Sequence, residues 1–113
     1  MTSPELVQCY RSMAGVSRRM VEAAKANDWD LLLAHNGDLV GLRERIAASS
    51  GDGIRLSPPE RDEVISLITE MQDHDRLIRE ITGPLRDSLR ELLSRKDRSL
   101  DLHRAYGSFR QQP

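Results

Sequence analysis

The chain of 113 residues is long enough for one domain, and its 17 basic and 18 acidic side chains leave a net charge of −1. This balance excludes attachment to nucleic acid or to an anionic membrane through bulk electrostatic attraction. The single cysteine, Cys9, excludes a disulfide within the chain and is typical of a reducing compartment. Because the chain opens with no apolar leader and has no apolar run of membrane-spanning length, we expect a cytoplasmic protein without a membrane anchor.

The first predicted helix begins at Thr2, Ser3 and Pro4, where a hydroxyl group can cap free amides and proline suits the first turn. It is expected to run to about Ala26. Its larger apolar residues fall on one stripe at helical spacing, so we expect this helix to bury one face. The stripe consists of Leu6, Tyr10, Met13, Met20 and Ala24.

A second helix is predicted over residues 28–48, capped by Asn27 and Asp28. Its apolar positions divide into two neighbouring rows that together cover more than half of the circumference. The first row is Leu31, Leu32, Leu39, Leu42 and Ile46, and the second is Trp29, Leu33, Val40 and Ala47. An apolar arc of this width predicts that the second helix packs against two neighbours.

A third, long helix is predicted to start at Ser57-Pro58-Pro59-Glu60, which combines a cap, first-turn prolines and a reciprocal glutamate. Its apolar stripe reaches about Arg95. The stripe keeps its phase across Gly83-Pro84, which predicts a kink there and not a helix end. The stripe contains Val64, Leu67, Ile68, Met71, Ile78, Ile81, Leu85, Leu89 and Leu92.

The predicted helix lengths are unequal. The first two helices span about 30 to 35 Å and the third spans about 55 Å at 1.5 Å per residue. The helical hairpin can therefore cover only the first part of the third helix, and the uncovered part is expected to begin near Gly83-Pro84. Leucines 85, 89, 92 and 93 would then have no neighbour in the three-helix bundle.

A short fourth helix is predicted near residues 99–107, with Leu102, Ala105 and Tyr106 on one face. This face is a candidate cover for the leucines of the third helix. The predicted fold is therefore all-α: an elongated antiparallel bundle of three main helices plus a short C-terminal fourth helix. We expect residues 1–113 to form one domain, in which residues 98–113 are a short regulatory helix and tail.

Sites for chemistry are not predicted. The three histidines, His35, His74 and His103, lack the spacing of metal ligands, so we expect no metal, no cofactor and no enzymatic activity. Two alternatives stay open. His35 lies on an amphipathic helix, as in a histidine phosphotransfer domain, although Asp38 would repel the incoming phosphoryl group. The third helix could instead form the obligate oligomer of a structural coiled-coil subunit.

Three segments resemble the FliT family of flagellar type III export chaperones. Residues 23–34 contain Trp29-Asp30-Leu31-Leu32, which is similar to the start of that family's second helix. Asp73-His74-Asp75, followed by two apolar residues, resembles the core of its third helix, and Ala105-Tyr106-Gly107 resembles its C-terminal signature. Asn36, where the family often has glutamate, and Gly83-Pro84 depart from the pattern.

The resemblance implies a cytoplasmic chaperone that holds the filament-cap protein, FliD, and delivers it to the export ATPase complex. In some relatives the protein also restrains the flagellar transcription activator. A helical C-terminal segment of the cap protein would lie on apolar surface of the second and third helices. We expect its contacts at Val40, Leu67, Met71, His74, Ile78, Ile81, Leu85, Leu89 and Leu92. Leu102 and Tyr106 are expected to form an autoinhibitory cover over this surface. We also expect that the chain can form a homodimer.

Overall fold

The computed structural model describes the backbone of residues 1–110 and the side chains of residues 1–95. Within these residues it contains three helices, α1 (Ser3–Lys25), α2 (Trp29–Ala48) and α3 (Pro58–Arg110). The chain divides into two compact units, Met1–Ile81 and Thr82–Pro113. The all-α class and the starts of the three main helices are confirmed.

The C-terminal boundaries differ from the prediction. α3 continues through Gly83-Pro84 as expected, but it extends to Arg110 instead of ending near Arg95. The predicted fourth helix over residues 99–107 is therefore part of α3. Between Leu85 and Tyr106 the chain has neither glycine nor proline, so no residue there ends the helix. Leu102 and Tyr106, the predicted cover, lie outside the described side chains.

The turn between α1 and α2 is closed by local hydrogen bonds. Asn27 has a φ of 56°, in the left-handed region where asparagine is tolerated better than most residues. The Asp28 amide donates to the Ala23 carbonyl over 2.9 Å, and the Asp28 carboxylate accepts from the Leu31 amide over 3.2 Å. One residue thus helps to end α1 and caps α2, which fixes the two helices as a tight hairpin.

The start of α3 is the predicted capping box. The Ser57 hydroxyl accepts from the Glu60 amide over 3.3 Å, and the Glu60 carboxylate accepts from the Ser57 amide over 2.9 Å. This hydrogen bond to the charged form lowers the pKa of Glu60. The reciprocal pair satisfies two amides that the first helical turn leaves without backbone partners.

The core is centred on α1. Its buried residues go well beyond the predicted stripe and are mostly small: Val7, Cys9, Met13, Ala14, Val16, Ser17, Met20, Val21, Ala23 and Ala24. The expectation that α1 buries one face is therefore wrong. Small side chains let α2 and α3 approach α1 closely from two sides. The burial of an α1 residue depends more on this close approach than on the size of its side chain.

α2 is the more exposed partner of the hairpin. It has one buried residue, Leu39, which joins Met13, Val16 and Met20 in the core cluster. The first predicted row of α2 faces this cluster, except for Leu31, which is exposed. The second row, with Trp29, Leu33 and Val40, is exposed, so the expectation that α2 is enclosed by two neighbours is wrong within unit Met1–Ile81.

Two ion pairs fix the register of α1 on α3. Arg11 makes two hydrogen bonds to Glu63, and Arg18 makes two to Glu70, the longer of each pair being 2.9 Å. Both pairs join residues 52 apart in sequence, so this part of α3 runs parallel to α1. Since α2 reverses the chain between them, the order is up, down, up.

Enlarging a buried small residue of α1 should destabilise the fold. Ala14 has no exposed surface, so an Ala14→Leu substitution must displace α2 or α3 and should lower the free energy of unfolding by about 1 to 3 kcal/mol. The matched control is Ala34→Leu, on the exposed side of α2. Urea unfolding followed by circular dichroism measures both. Equal effects of the two substitutions would contradict the central position of α1.

Acid should weaken the α1–α3 ion pairs. Arg11 and Arg18 lower the pKa of Glu63 and Glu70 below the ordinary value of 4.5. Their stabilisation is therefore complete above that value and is lost as the pH falls through the lowered pKa. The variant with Arg11→Gln and Arg18→Gln should show a shallower loss of unfolding free energy on acidification than the unsubstituted chain. Urea titrations at a series of pH values test this, and identical slopes would exclude the pairs as the cause.

Candidate partner-binding surface

A groove lies where the three helices meet in unit Met1–Ile81. Its volume is about 310 Å³, and we call it the three-helix groove. The residues that line it are Tyr10 and Met13 of α1, Arg43 of α2, and Ile68, Met71, Gln72 and Asp75 of α3. The volume is at the lower end of the about 300 to 1,000 Å³ of ligand pockets, so the groove fits one or two apolar side chains.

The floor of the groove is apolar. Met13 belongs to the buried core cluster, and Tyr10 and Met71 pack against that cluster while remaining partly exposed. Methionine has an unbranched, polarisable side chain that adapts to differently shaped apolar partners. The floor can therefore take an aliphatic or an aromatic side chain without a change in the helices.

The rim of the groove carries charges of both signs, and the negative charge is in an ion pair. Asp75 of α3 forms an ion pair with Arg79 at 3.0 Å. Arg43 of α2 is exposed and has no ion pair with any carboxylate among the described side chains. The charge that the rim offers to a partner is consequently positive and lies on the α2 side.

The predicted contact residues of unit Met1–Ile81 occupy different environments. Val40 is exposed on α2, outside the groove lining. Met71 lines the groove, and Ile78 packs against the core cluster. Leu67 and Ile81 are partly buried. Of the six predicted contact residues in this unit, which also include His74, the structure brings one, Met71, into the lining of the groove and distributes the others over neighbouring positions.

His74 belongs to a polar chain between α1 and α3. Its Nδ1 atom shares a hydrogen bond with the Ser17 hydroxyl, and its Nε2 atom lies 4.0 Å from Glu70, which is held by Arg18. The imidazole therefore faces α1. In this arrangement His74 positions α3 on α1, in addition to any contact that its exposed edge makes.

The leucines of unit Thr82–Pro113 form an exposed apolar row. Leu85, Leu89 and Leu92 are 47%, 56% and 59% exposed, and the adjoining Leu93 is 52% exposed. The first three follow one another at spacings of four and three residues, so they lie on one face of α3. A protein surface normally scatters its apolar residues, and a contiguous row of this kind is typical of an interaction site.

Sequence reasoning missed part of the groove. Tyr10 and Met13 belong to the predicted apolar stripe of α1, and Arg43 belongs to neither predicted apolar row of α2. Ile68 was on the predicted α3 stripe but not among the expected contacts. The groove forms where the faces of three helices meet. The signal for it in the sequence was the partial overlap of neighbouring apolar stripes.

The histidine chemistry has little support in the structure. The His35 side chain is 15% exposed. Its Nδ1 atom has no hydrogen-bond partner among the described residues and lies 3.9 Å from the Asp38 carboxylate. A phosphoryl donor needs a more accessible imidazole. Among the described residues, no cluster of histidine, cysteine, aspartate and glutamate has the geometry of a metal site. In the part of the chain that the structure describes, none of the helices has an apolar stretch long enough to cross a membrane.

Comparison with known proteins places these features in a family. A family model described as flagellar protein FliT matches residues 7–108. Among solved structures, the flagellar protein FliT from Bordetella bronchiseptica is similar, with 28% sequence identity and a TM-score of 0.68 over 77% of this chain and 98% of that chain. No curated protein matches the sequence. Because the family model covers most of the chain, the protein belongs to the FliT family of flagellar proteins.

Proposed function

We propose that this protein is a non-enzymatic export chaperone of the cytoplasm. It binds the C-terminal segment of the filament-cap protein, FliD, and delivers that protein to the export ATPase complex. Membership of the FliT family supports the flagellar context. The proposal is carried by the exposed apolar surface that each unit presents: the three-helix groove in unit Met1–Ile81, and the leucine row Leu85, Leu89 and Leu92 in unit Thr82–Pro113.

The proposed mechanism is the shielding of an apolar segment. A helix presents anchors at positions i, i+3, i+4 and i+7, which is the spacing that grooves and leucine rows accept from an amphipathic partner helix. Covering such a segment before export would prevent its premature self-association. The free energy comes from apolar area removed from water, at about 25 cal/mol per Å², so no chemical step is required.

Two further partners belong to the same proposal. The flagellar transcription activator and a second copy of the chain would each use the exposed apolar surface that the cap protein uses. Ligands that share a surface exclude one another, so binding of the cap protein would release the activator. The amount of cap protein would then control the transcription of flagellar genes through this chain.

An acidic substitution in the leucine row should weaken binding of the cap-protein segment. Leu89→Asp places a charge in the proposed contact and should raise the Kd by about tenfold or more, equal to about 1.4 kcal/mol. The matched control is Ile65→Asp, because Ile65 is 55% exposed on α3 but does not line the groove. Isothermal titration calorimetry with the synthetic segment measures both. Equal losses, or no binding by the unsubstituted chain, would refute the proposed site.

Removal of the predicted cover should strengthen binding. Because residues 98–110 continue α3 in the structure, they can compete for the leucine row only if this part of the helix unwinds and folds back. In that case their deletion raises the binding-competent fraction and lowers the apparent Kd for the cap-protein segment. Calorimetry on the full and shortened chains tests this, with sedimentation of both to detect a change in oligomeric state. An unchanged or weaker affinity would show that these residues do not gate binding. An obligate oligomer in both chains would favour the structural coiled-coil alternative.

A further inference from the structure

We propose that the three-helix groove selects a partner helix that carries one large apolar residue and, one turn away, a carboxylate that pairs with Arg43. This inference rests on the proposed function in one respect: the cap-protein segment is the natural candidate for the partner helix. It goes further because it assigns the chemistry of the anchor and the sign of the charge beside it.

The apolar part of the selection follows from the floor. Tyr10, Met13, Ile68 and Met71 leave a volume of about 310 Å³ that a bulky side chain can enter. Binding energy at helix-in-groove interfaces is concentrated in a few buried anchors surrounded by contacts that exclude water. One leucine, methionine or phenylalanine of the partner would therefore carry most of the affinity at this position.

The charge selection follows from the rim. Asp75 is in an ion pair with Arg79 of the same helix at 3.0 Å, and Gln72 is uncharged, whereas Arg43 has no ion pair among the described side chains, so these three charged groups sum to one positive charge. A lysine or arginine beside the anchor would meet an uncompensated guanidinium. A glutamate or aspartate would form an ion pair with it, and the apolar floor would shield that pair partly from water.

The spacing follows from helix geometry. On a partner helix, residues three or four positions apart lie on the same face, about 5 to 6 Å apart. Arg43 lines the same groove as the apolar floor, so a carboxylate at that distance from the anchor lies within reach of the long arginine side chain. An acidic residue two positions from the anchor would point away from the groove.

Two synthetic probes separate this inference from the identity of the natural partner. Both are helical peptides of about 18 residues, long enough to be helical in water when rich in alanine. Each has a leucine at its centre, and the two differ only in a glutamate or a lysine four positions later. Fluorescence anisotropy of the labelled peptides measures their affinities for the full chain. We expect the glutamate peptide to bind at least about fivefold tighter, with the difference decreasing at high salt.

The variants Arg43→Glu and Arg45→Glu assign the preference to one side chain. Both arginines are exposed, and Arg45 also lacks an ion pair among the described residues. Two positions separate them, which is about 200° around the helix, so Arg45 does not line the groove. Arg43→Glu should reverse the preference in favour of the lysine peptide, and Arg45→Glu should leave it unchanged. Circular dichroism checks that both variants remain helical.

The outcomes distinguish this inference from the proposed function. If the peptides are discriminated through Arg43 but the cap-protein segment does not bind, the inference stands and the proposed function fails. Equal binding of both peptides, a preference that Arg43→Glu leaves in place, or no binding of either peptide would overturn the inference. Dimerisation that Arg43→Glu abolishes, with no peptide bound, would show that a second copy occupies the groove.

Discussion

Close packing of α1 between α2 and α3 is the constraint on which the other features of unit Met1–Ile81 depend. Ala14 and Ala24 have no exposed surface, and they let the neighbouring helices approach the α1 backbone. Because α1 occupies the middle, the larger apolar residues of α2 and α3 pack against the core cluster that α1 dominates and remain partly exposed. The three-helix groove is the gap left where the three helices meet, with Met13 and Met71 in its floor and lining.

The apolar residues that this arrangement leaves exposed form the surface that we propose binds a partner. A helix needs one apolar stripe to fold against a neighbour, whereas α2 carries two rows and α3 continues its stripe as the exposed leucine row. These residues contribute little to the stability of the free chain. Their exposure to water is unfavourable, and a partner that covers them would explain why they are apolar. Membership of the FliT family is consistent with such a partner.

Local signals in the sequence predicted much of the fold. Thr2, Asp28 and the Ser57–Glu60 pair marked the helix starts because capping depends on a few neighbouring residues. The central position of α1 was not predicted, since hydropathy patterns weight large side chains and close packing depends on small ones. The end of α3 was misplaced because fading apolar periodicity does not end a helix where, as between Leu85 and Tyr106, the chain has neither glycine nor proline. Individual groove residues such as Ile68 were on predicted apolar stripes. The sequence did not indicate that residues of three helices converge on one groove.

The central claim is the proposal that the client segment binds two exposed apolar surfaces, the three-helix groove of unit Met1–Ile81 and the leucine row of unit Thr82–Pro113. Methyl-detected NMR of the chain during titration with the C-terminal segment of the filament-cap protein tests it most directly. The account predicts saturable shifts of the Met13, Met71 and Leu89 methyl signals, with the buried Val7 signal unchanged. Saturable binding that leaves Met71 and Leu89 unshifted would contradict it.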